Sequence, residues 1–191
     1  MPSPVRFLPS VFLCLLLGGV ATDARAVDAA LDVNDNAARA YVGVPIGNNI
    51  LVDSSWLYHA DNGHVFSVGG HVTGAASGVD PLKAGLGLRF SYVSNDRESE
   101  EDGTALGLGG FVRYTLPQYD RVNFGASLYY APEVLSFGDV DELWEFGLDA
   151  GYSVLKQADV YVGWRTVKAD FKNDGTERMD TGFHVGLRVR F

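Results

Sequence analysis

The chain has 191 residues, with 15 lysines and arginines against 24 aspartates and glutamates, which gives a formal net charge of −9. An acidic chain argues against nucleic-acid binding, because that function needs a basic face. The length is enough for one domain.

The N-terminus has the pattern of a secretory signal peptide. Arg6 precedes an apolar run over residues 7–20, and Ala24-Arg25-Ala26 then provides a small-x-small cleavage site. The pattern predicts a signal peptide over residues 1–26 and a single domain over residues 27–191. Cys14 lies inside the apolar run, so the exported chain would have no disulfide. No later stretch is long and apolar enough to predict a transmembrane helix.

The rest of the chain repeats one pattern, in which about ten alternating apolar and polar residues are followed by turn residues. Alternation with a period of two predicts β-strands with one apolar face and one polar face. Eight segments show it: residues 50–58, 65–73, 84–93, 105–116, 122–130, 144–154, 159–171 and 183–191.

The connections between these segments alternate in length. Residues 117–121 and 156–158 form short turns, whereas residues 95–103, 132–141 and 172–179 form long, polar and mostly acidic loops. Short turns on one side and long loops on the other are typical of outer-membrane β-barrels, whose long loops lie outside the cell. The fold class is therefore predicted to be all-β, a small antiparallel transmembrane barrel.

The number of strands depends on the N-terminal segments. Residues 38–44 look like a ninth strand, but bacterial single-chain barrels have an even number. Residues 29–33 would provide a short first strand, with residues 34–36 as its turn, and so give ten strands. Alternatively, residues 38–44 form a plug or a periplasmic segment, which gives eight. Ten is favoured.

The contents of the two faces favour a membrane barrel over a soluble one. A soluble barrel needs a charged exterior, whereas here the apolar face is almost free of charge and the other face is rich in glycine. In the segment over residues 159–171, the distal half from residue 167 loses the pattern and is predicted to extend beyond the membrane. The charges predicted to face the lumen are Asp53, Arg89, Arg113, Glu145, Asp149, Arg165, Arg188 and Arg190.

These lumen arginines outnumber the lumen carboxylates, and two interpretations follow. The charges could form an ion-paired plug, or the surplus arginines could line a narrow, anion-preferring pore. The interior of a barrel with eight to ten strands is narrow enough for side chains to fill it, which favours the plug.

Several segments carry a resemblance to a known family. LYYAPEVLS at residues 128–136 and SWLYHADNG at residues 55–63 are similar to segments of the YfaZ family of predicted outer-membrane proteins. The closing strand and the pair Trp164-Arg165 fit the family as well. The resemblance implies an outer-membrane barrel and brings no established activity with it.

The last residue, Phe191, resembles the C-terminal Phe of bacterial outer-membrane barrels. That resemblance implies an assembly signal and, as a partner, the barrel-assembly machinery of a Gram-negative cell. Outer-membrane lipid and lipopolysaccharide are the other expected partners.

Catalytic and metal sites have weak support in the sequence. His59, Asp61 and His64 flank one turn and could hold a metal, but the ligand set is incomplete and a polar surface loop is the favoured interpretation. His184 has no serine at a neighbouring inward position on its strand, as a nucleophile activated by a base would require. The sequence predicts no catalytic residue, no metal and no cofactor.

The predicted function is that of a small outer-membrane β-barrel with a structural or interaction role, and a narrow pore with an arginine-rich lumen stays open as a possibility. The alternative from a different class is a soluble periplasmic barrel that binds a small apolar ligand.

Overall fold

The structure, a computed structural model, describes residues 27–75, 81–95, 102–172 and 175–191. The predicted signal peptide and residues 96–101 of the acidic loop lie outside the described residues. Among the described residues, no helix has the length and apolarity needed to cross a membrane. The strands are β1 (Asp28–Val33), β2 (Ala37–Ile46), β3 (Ile50–His59), β4 (Gly63–Ala75), β5 (Leu82–Ser94), β6 (Asp102–Leu116), β7 (Tyr119–Ala131), β8 (Ser136–Gly138), β9 (Val140–Leu155), β10 (Ala158–Phe171) and β11 (Gly175–Arg190).

Ten of these strands, counted over the described ranges, form a closed antiparallel barrel. Each pairs with the next along the chain, β7 pairs directly with β9, and β1 closes the ring against β11. The short β8 follows a 3₁₀ turn at Glu133–Leu135 and only adds to β6, within a connection that the sequence predicts as a loop. Because the ring is closed, each of these ten strands is paired on both sides. Lipid does not tolerate an unpaired strand edge.

The N-terminal strands confirm the prediction of ten. β1 is the short first strand, and its register with β11 runs from Asp28 opposite Arg190 to Val33 opposite Val185. The Asn34 side chain accepts hydrogen bonds from the backbone N–H groups of Asn36 and Ala37, which fixes the turn into β2. The alternative of eight strands with an N-terminal plug is wrong, because β2 pairs along its whole length with β3.

The two ends of the barrel are distinct. Val27 and Phe191 exchange backbone hydrogen bonds of 3.1 and 3.0 Å at one end, which we call the terminal end. The opposite end, which we call the loop end, carries the connections from β3 to β4, β5 to β6, β7 to β9 and β10 to β11.

The outer face of the barrel is apolar and exposed. Leu31, Leu86, Leu108 and Leu187 are each more than half exposed on it. A folded protein can leave such a continuous apolar band uncovered in lipid but not in water, so the alternative of a soluble barrel is wrong. Exposed aromatic residues flank the band near both ends, as expected of interfacial girdles: Trp56, Tyr58, Tyr130 and Trp144 at the loop end, and Tyr114 and Tyr152 at the terminal end.

The hydrophobic core lies inside the barrel, at the loop end. It consists of buried side chains that every barrel strand except β1 contributes, among the described residues: Ala37, Leu57, Val65, Val93, Ala105, Ala131, Val140, Leu143, Val167, Ala169, Phe171 and Met179. We call this set the apolar layer. It explains why residues 167–171 lose the sequence pattern: β10 continues to Phe171, and apolar side chains simply replace polar ones on its inward face.

Wall glycines make room for the long inward side chains below this layer. A Cβ added at Gly125 would collide with the Asp149 carboxylate. One added at Gly69 would lie 2.6 Å from the His71 ring and 3.0 Å from the Asp53 carboxylate, closer than real Cβ contacts. Glycine in the wall is therefore what allows the interior to hold so many charged groups.

Candidate functional site

The barrel interior below the apolar layer is the candidate functional site. The alternation of each strand directs the predicted lumen charges there, where they meet residues from distant strands. The side chains form three groups and one isolated arginine, and each is described in turn.

The first group is centred on Asp32 of β1, which is 1% exposed. We call it the Asp32 cluster. Arg165 of β10 donates from Nη1 to Asp32 Oδ1 at 2.5 Å and from Nε to Asp180 Oδ2 at 2.7 Å. Arg39 of β2 donates to Asp32 Oδ2 from Nε and Nη2, at 3.1 and 2.9 Å, and the Tyr161 hydroxyl donates to the same oxygen at 2.8 Å. The Asp32 carboxylate on β1 thus binds two arginines and a tyrosine from two other strands.

The second group is centred on the guanidinium of Arg89 on β5, and we call it the Arg89 cluster. Arg89 donates from Nη2 to Asp53 at 3.2 Å and from Nη1 to Glu145 at 3.1 Å. Its Cζ also lies 3.7 Å from the centre of the Tyr129 ring, a cation–π contact. His71 lies between Tyr129 and Asp53. Its Nε2 is 2.8 Å from the Tyr129 hydroxyl. Its Nδ1 is 2.9 Å from Asp53 Oδ2, but the two atoms are not aligned for a hydrogen bond.

The third group lies near the terminal end and involves the closing strand. Arg190 donates to Asp159 of β10, and it also lies 3.7 Å from the Asp28 carboxylate. Ser153 donates to the other oxygen of Asp159 at 2.7 Å. Two residues earlier on β11, Arg188 donates from Nη2 to Asp149 of β9 at 3.3 Å.

Arg113 differs from the other lumen arginines. It faces the interior from β6, but it forms no ion pair with any carboxylate of the described residues, and its buried Nε has no hydrogen-bond partner there. Arg188, Asp149 and Asp28 are the charged groups that act on it electrostatically.

The interior charges are more balanced than the sequence indicated. Beside the predicted set, the interior carries one further arginine, Arg39, and four further carboxylates: Asp28, Asp32, Asp159 and Asp180. The alternation of side chains along a strand could have identified two of these carboxylates. Asp32 shares a face of β1 with Ala30, and Asp180 shares a face of β11 with His184. The surplus of arginines over carboxylates therefore does not hold in the structure.

The turn from β3 to β4 is held by hydrogen bonds of its own residues. The His59 Nδ1 accepts a hydrogen bond from the backbone N–H of Asp61 at 3.1 Å, a local turn contact. Asn62 is buried and donates to the backbone carbonyls of Arg178 and Met179 across the loop end, at 2.8 and 3.3 Å. In the parts of the chain that the structure describes, no three His, Cys, Asp or Glu side chains converge as metal ligands would.

Two cavities lie between these groups in the described part of the chain. The larger, of about 120 Å³, is lined by Arg113, Arg188, Tyr41, Asp149 and Asp28 among others, and we call it the lower pocket. The smaller, of about 30 Å³, lies between Arg89 and Arg165 and the first residues of the apolar layer, Leu57 and Val65. A space of the smaller size holds only one or two water molecules.

A closed barrel with an apolar exterior and a charged interior defines the class: this chain is a small outer-membrane β-barrel protein. The YfaZ precursor family model matches residues 9–191, and the chain belongs to the YfaZ family. The family and the location predicted from the sequence are thus confirmed.

Known structures show more distant similarity. The outer membrane channel DcaP of Acinetobacter baumannii has 12% identity and a TM-score of 0.47, over 86% of this chain and 54% of that one, so this chain spans about half of DcaP. The KdgM porin has 14% identity and a TM-score of 0.45, over 87% and 99% of the two chains. The translocator domain of the autotransporter NalP from Neisseria meningitidis has 12% identity and a TM-score of 0.29, over 95% and 93%. No curated protein matches the sequence significantly.

Proposed function

We propose that this outer-membrane barrel is closed and does not conduct ions, and that it serves a structural or interaction role in the membrane. The single observation that carries this proposal is the apolar layer. Its side chains come from nearly the whole circumference of the barrel and are all less than 10% exposed.

An apolar layer across the lumen is a barrier to ions. An ion that enters it loses its hydration and gains no polar partner, which costs many kcal/mol. Hydrophobic constrictions close known channels in this way, by excluding water. Asn62 strengthens the closure, because its bonds to the Arg178 and Met179 carbonyls hold the β3–β4 turn over the interior.

The ion pairs below the layer support the same proposal. A conducting lumen needs charges that can exchange partners with a passing ion, whereas Arg165 and Arg89 each hold two carboxylates. Such groups satisfy each other's buried charge and act as an ion-paired plug. The anion-preferring pore loses its support, because the surplus of arginines on which it depends is balanced by Asp28, Asp32, Asp159 and Asp180.

We also propose that the protein has no catalytic activity. In the described ranges, no histidine is hydrogen-bonded to a serine or threonine, as an activated nucleophile would require. The buried His71 is instead engaged by Tyr129 and Asp53. The buried serines Ser67 and Ser91 bond to each other at 2.9 Å, and Ser91 donates to Glu145.

The processing and orientation of the chain belong to the same proposal. Residues 1–26 are removed as a signal peptide, and this is supported by the pairing of the very next residue, Val27, with Phe191. The terminal end faces the periplasm and the loop end faces outward among lipopolysaccharide, as the long connections favour. Phe191 serves as the signal to the assembly machinery. N-terminal sequencing of the membrane-bound protein should begin at Val27.

Recording from planar bilayers tests the central proposal. Folded protein, recognised by its heat-modifiable gel mobility, is expected to insert and give no discrete conductance steps. Flotation with lipid vesicles verifies insertion in the same preparation. Reproducible steps from the folded, inserted protein would refute the closed barrel.

A further inference from the structure

The lower pocket suggests a function beyond closure of the barrel. It has a volume of about 120 Å³, which is room for several water molecules. Asp28 is the first residue of β1, Leu51 the second of β3, and Arg113 lies three residues before the end of β6. At about 3.3 Å per residue, these lining side chains lie within roughly 10 Å of the terminal end. The pocket therefore lies close to the terminal end, whereas the apolar layer lies toward the other end.

One arginine that lines the lower pocket has no carboxylate paired with it among the described residues. Asp149 pairs with Arg188, Asp28 lies against Arg190, and Asp53 is held by Arg89. Arg113 is the lumen arginine that lacks a carboxylate partner among the described residues. Arg188, a like charge, lines the same pocket, and so do Asp149 and Asp28.

Hydrogen-bond donors in the pocket are also left without partners. The buried atoms Arg113 Nε and Arg188 Nη1 form no hydrogen bond with any described residue. Arg188 as a whole is only 6% exposed. Buried donors are rarely left unsatisfied, because each costs about 1–3 kcal/mol or more when the group is charged. The Tyr41 hydroxyl lies over Gly43 and lines the same pocket.

We propose that the lower pocket binds a small oxyanion, which Arg113 and Arg188 hold together. Guanidinium groups present donors in a fork that matches the oxygens of phosphate and carboxylate. One monoanion would neutralise the charge of Arg113 and accept the free donors of both arginines. Because the pocket is inside the barrel, the anion comes from the aqueous side at the terminal end and not from a lipid headgroup.

Titration calorimetry on the folded protein in detergent tests this proposal. Inorganic phosphate and acetate are titrated in separate experiments into chloride buffer of matched ionic strength. We expect saturable binding of at least one of the two. The Arg113→Gln variant, which removes the charge and most of the donors, should weaken that binding by about tenfold or more, the ratio that one charge-assisted hydrogen bond provides.

Arg121→Gln is the matched control, since it removes the same charge from the start of β7, outside the pocket lining. It should leave the affinity within about twofold of that of the unaltered protein. If Arg113→Gln does not fold, Arg113→Lys keeps the charge while removing the fork, and it should weaken binding by an intermediate factor. Absence of binding to the unaltered protein, or equal losses in the Arg113 and Arg121 variants, would show that water alone fills the pocket. Neither result depends on whether the barrel conducts.

Discussion

Arg165 on β10 reaches past β11 to donate a 2.5 Å hydrogen bond to Asp32 on β1. The two residues lie on either side of the strand that closes the barrel, 133 positions apart in the sequence. Their bond fixes the seam between the two ends of the chain from the inside, in addition to the backbone pairing of β1 with β11.

Asp32→Asn is expected to destabilise the barrel. The amide keeps the shape but loses the negative charge that Arg165, Arg39 and Tyr161 share. The buried Arg165 and the partly exposed Arg39 both lose a charged acceptor. Removing one partner from a buried ionic group costs about 3–5 kcal/mol in the free energy of unfolding. Guanidinium unfolding of the protein in lipid vesicles, followed by tryptophan fluorescence, measures the change.

The control for this prediction is Asp35→Asn, in the exposed turn between β1 and β2. Its free energy of unfolding should stay within about 0.5 kcal/mol of the original. Equal stability of the Asp32 and Asp35 variants would mean that the Asp32 cluster contributes nothing to the seam.

Phe171→Ala is expected to open the barrel to ions. The phenyl ring lies within the apolar layer, and its truncation leaves a space that water and then ions can enter. Planar-bilayer recordings should show discrete steps for Phe171→Ala that the unaltered protein lacks.

Phe124→Ala is the matched truncation, because Phe124 lies on the lipid face and not in the layer. It should remain silent in the same recordings. If both variants stay silent while folded and inserted, the barrier lies elsewhere, and the ion-pair clusters become the next candidates.

Leu187→Arg tests which face of the barrel meets lipid. Leu187 is the third of five outward residues at the end of the chain and is 57% exposed. An arginine on the lipid face costs about 0–1 kcal/mol near the interface and about 2–4 kcal/mol at the bilayer midplane, so its cost rises with depth. Leu187 lies three residues inside the end of β11.

Ile46→Arg, at the last residue of β2, provides the interfacial comparison. The free energy of unfolding, measured in lipid vesicles, should fall more for Leu187→Arg than for Ile46→Arg. The same small effect at both positions would argue that Leu187 does not face the bilayer core.

Phe191→Ser is expected to impair assembly in cells and not the stability of the finished barrel. The Phe191 side chain is 72% exposed, while its backbone bonds to Val27 do not depend on the side chain. The amount of heat-modifiable protein in the outer-membrane fraction should fall several-fold. The free energy of unfolding of the refolded protein should change by less than about 1 kcal/mol.

Phe183→Ser removes another highly exposed phenyl group from the same strand and serves as the comparison. It should assemble at close to the normal level. If both variants assemble equally well, the terminal position has no special role.

The lumen charges illustrate what strand parity can and cannot predict. Parity directs Arg89 and Glu145 inward, because in a strand each side chain points opposite to its neighbours. It does not predict that Arg89 donates to Glu145, since the two lie on different strands, 56 positions apart in the sequence. Asp180 shares the inward parity of His184, but it precedes residues 183–191, where the sequence pattern predicts the last strand, and only the full extent of β11 includes it.

The sequence by itself determined the all-β class, the two faces of nearly every strand and the membrane location. These properties depend on the period of two and on which residue types lipid accepts, and both are local and readable along the chain. The tertiary structure alone brought the apolar layer together. Val167, Ala169 and Phe171 join one buried cluster with Leu57, Val93 and Met179 only when the ring closes. Likewise, Arg113 is left without a carboxylate only because the ring directs every nearby acid to another arginine.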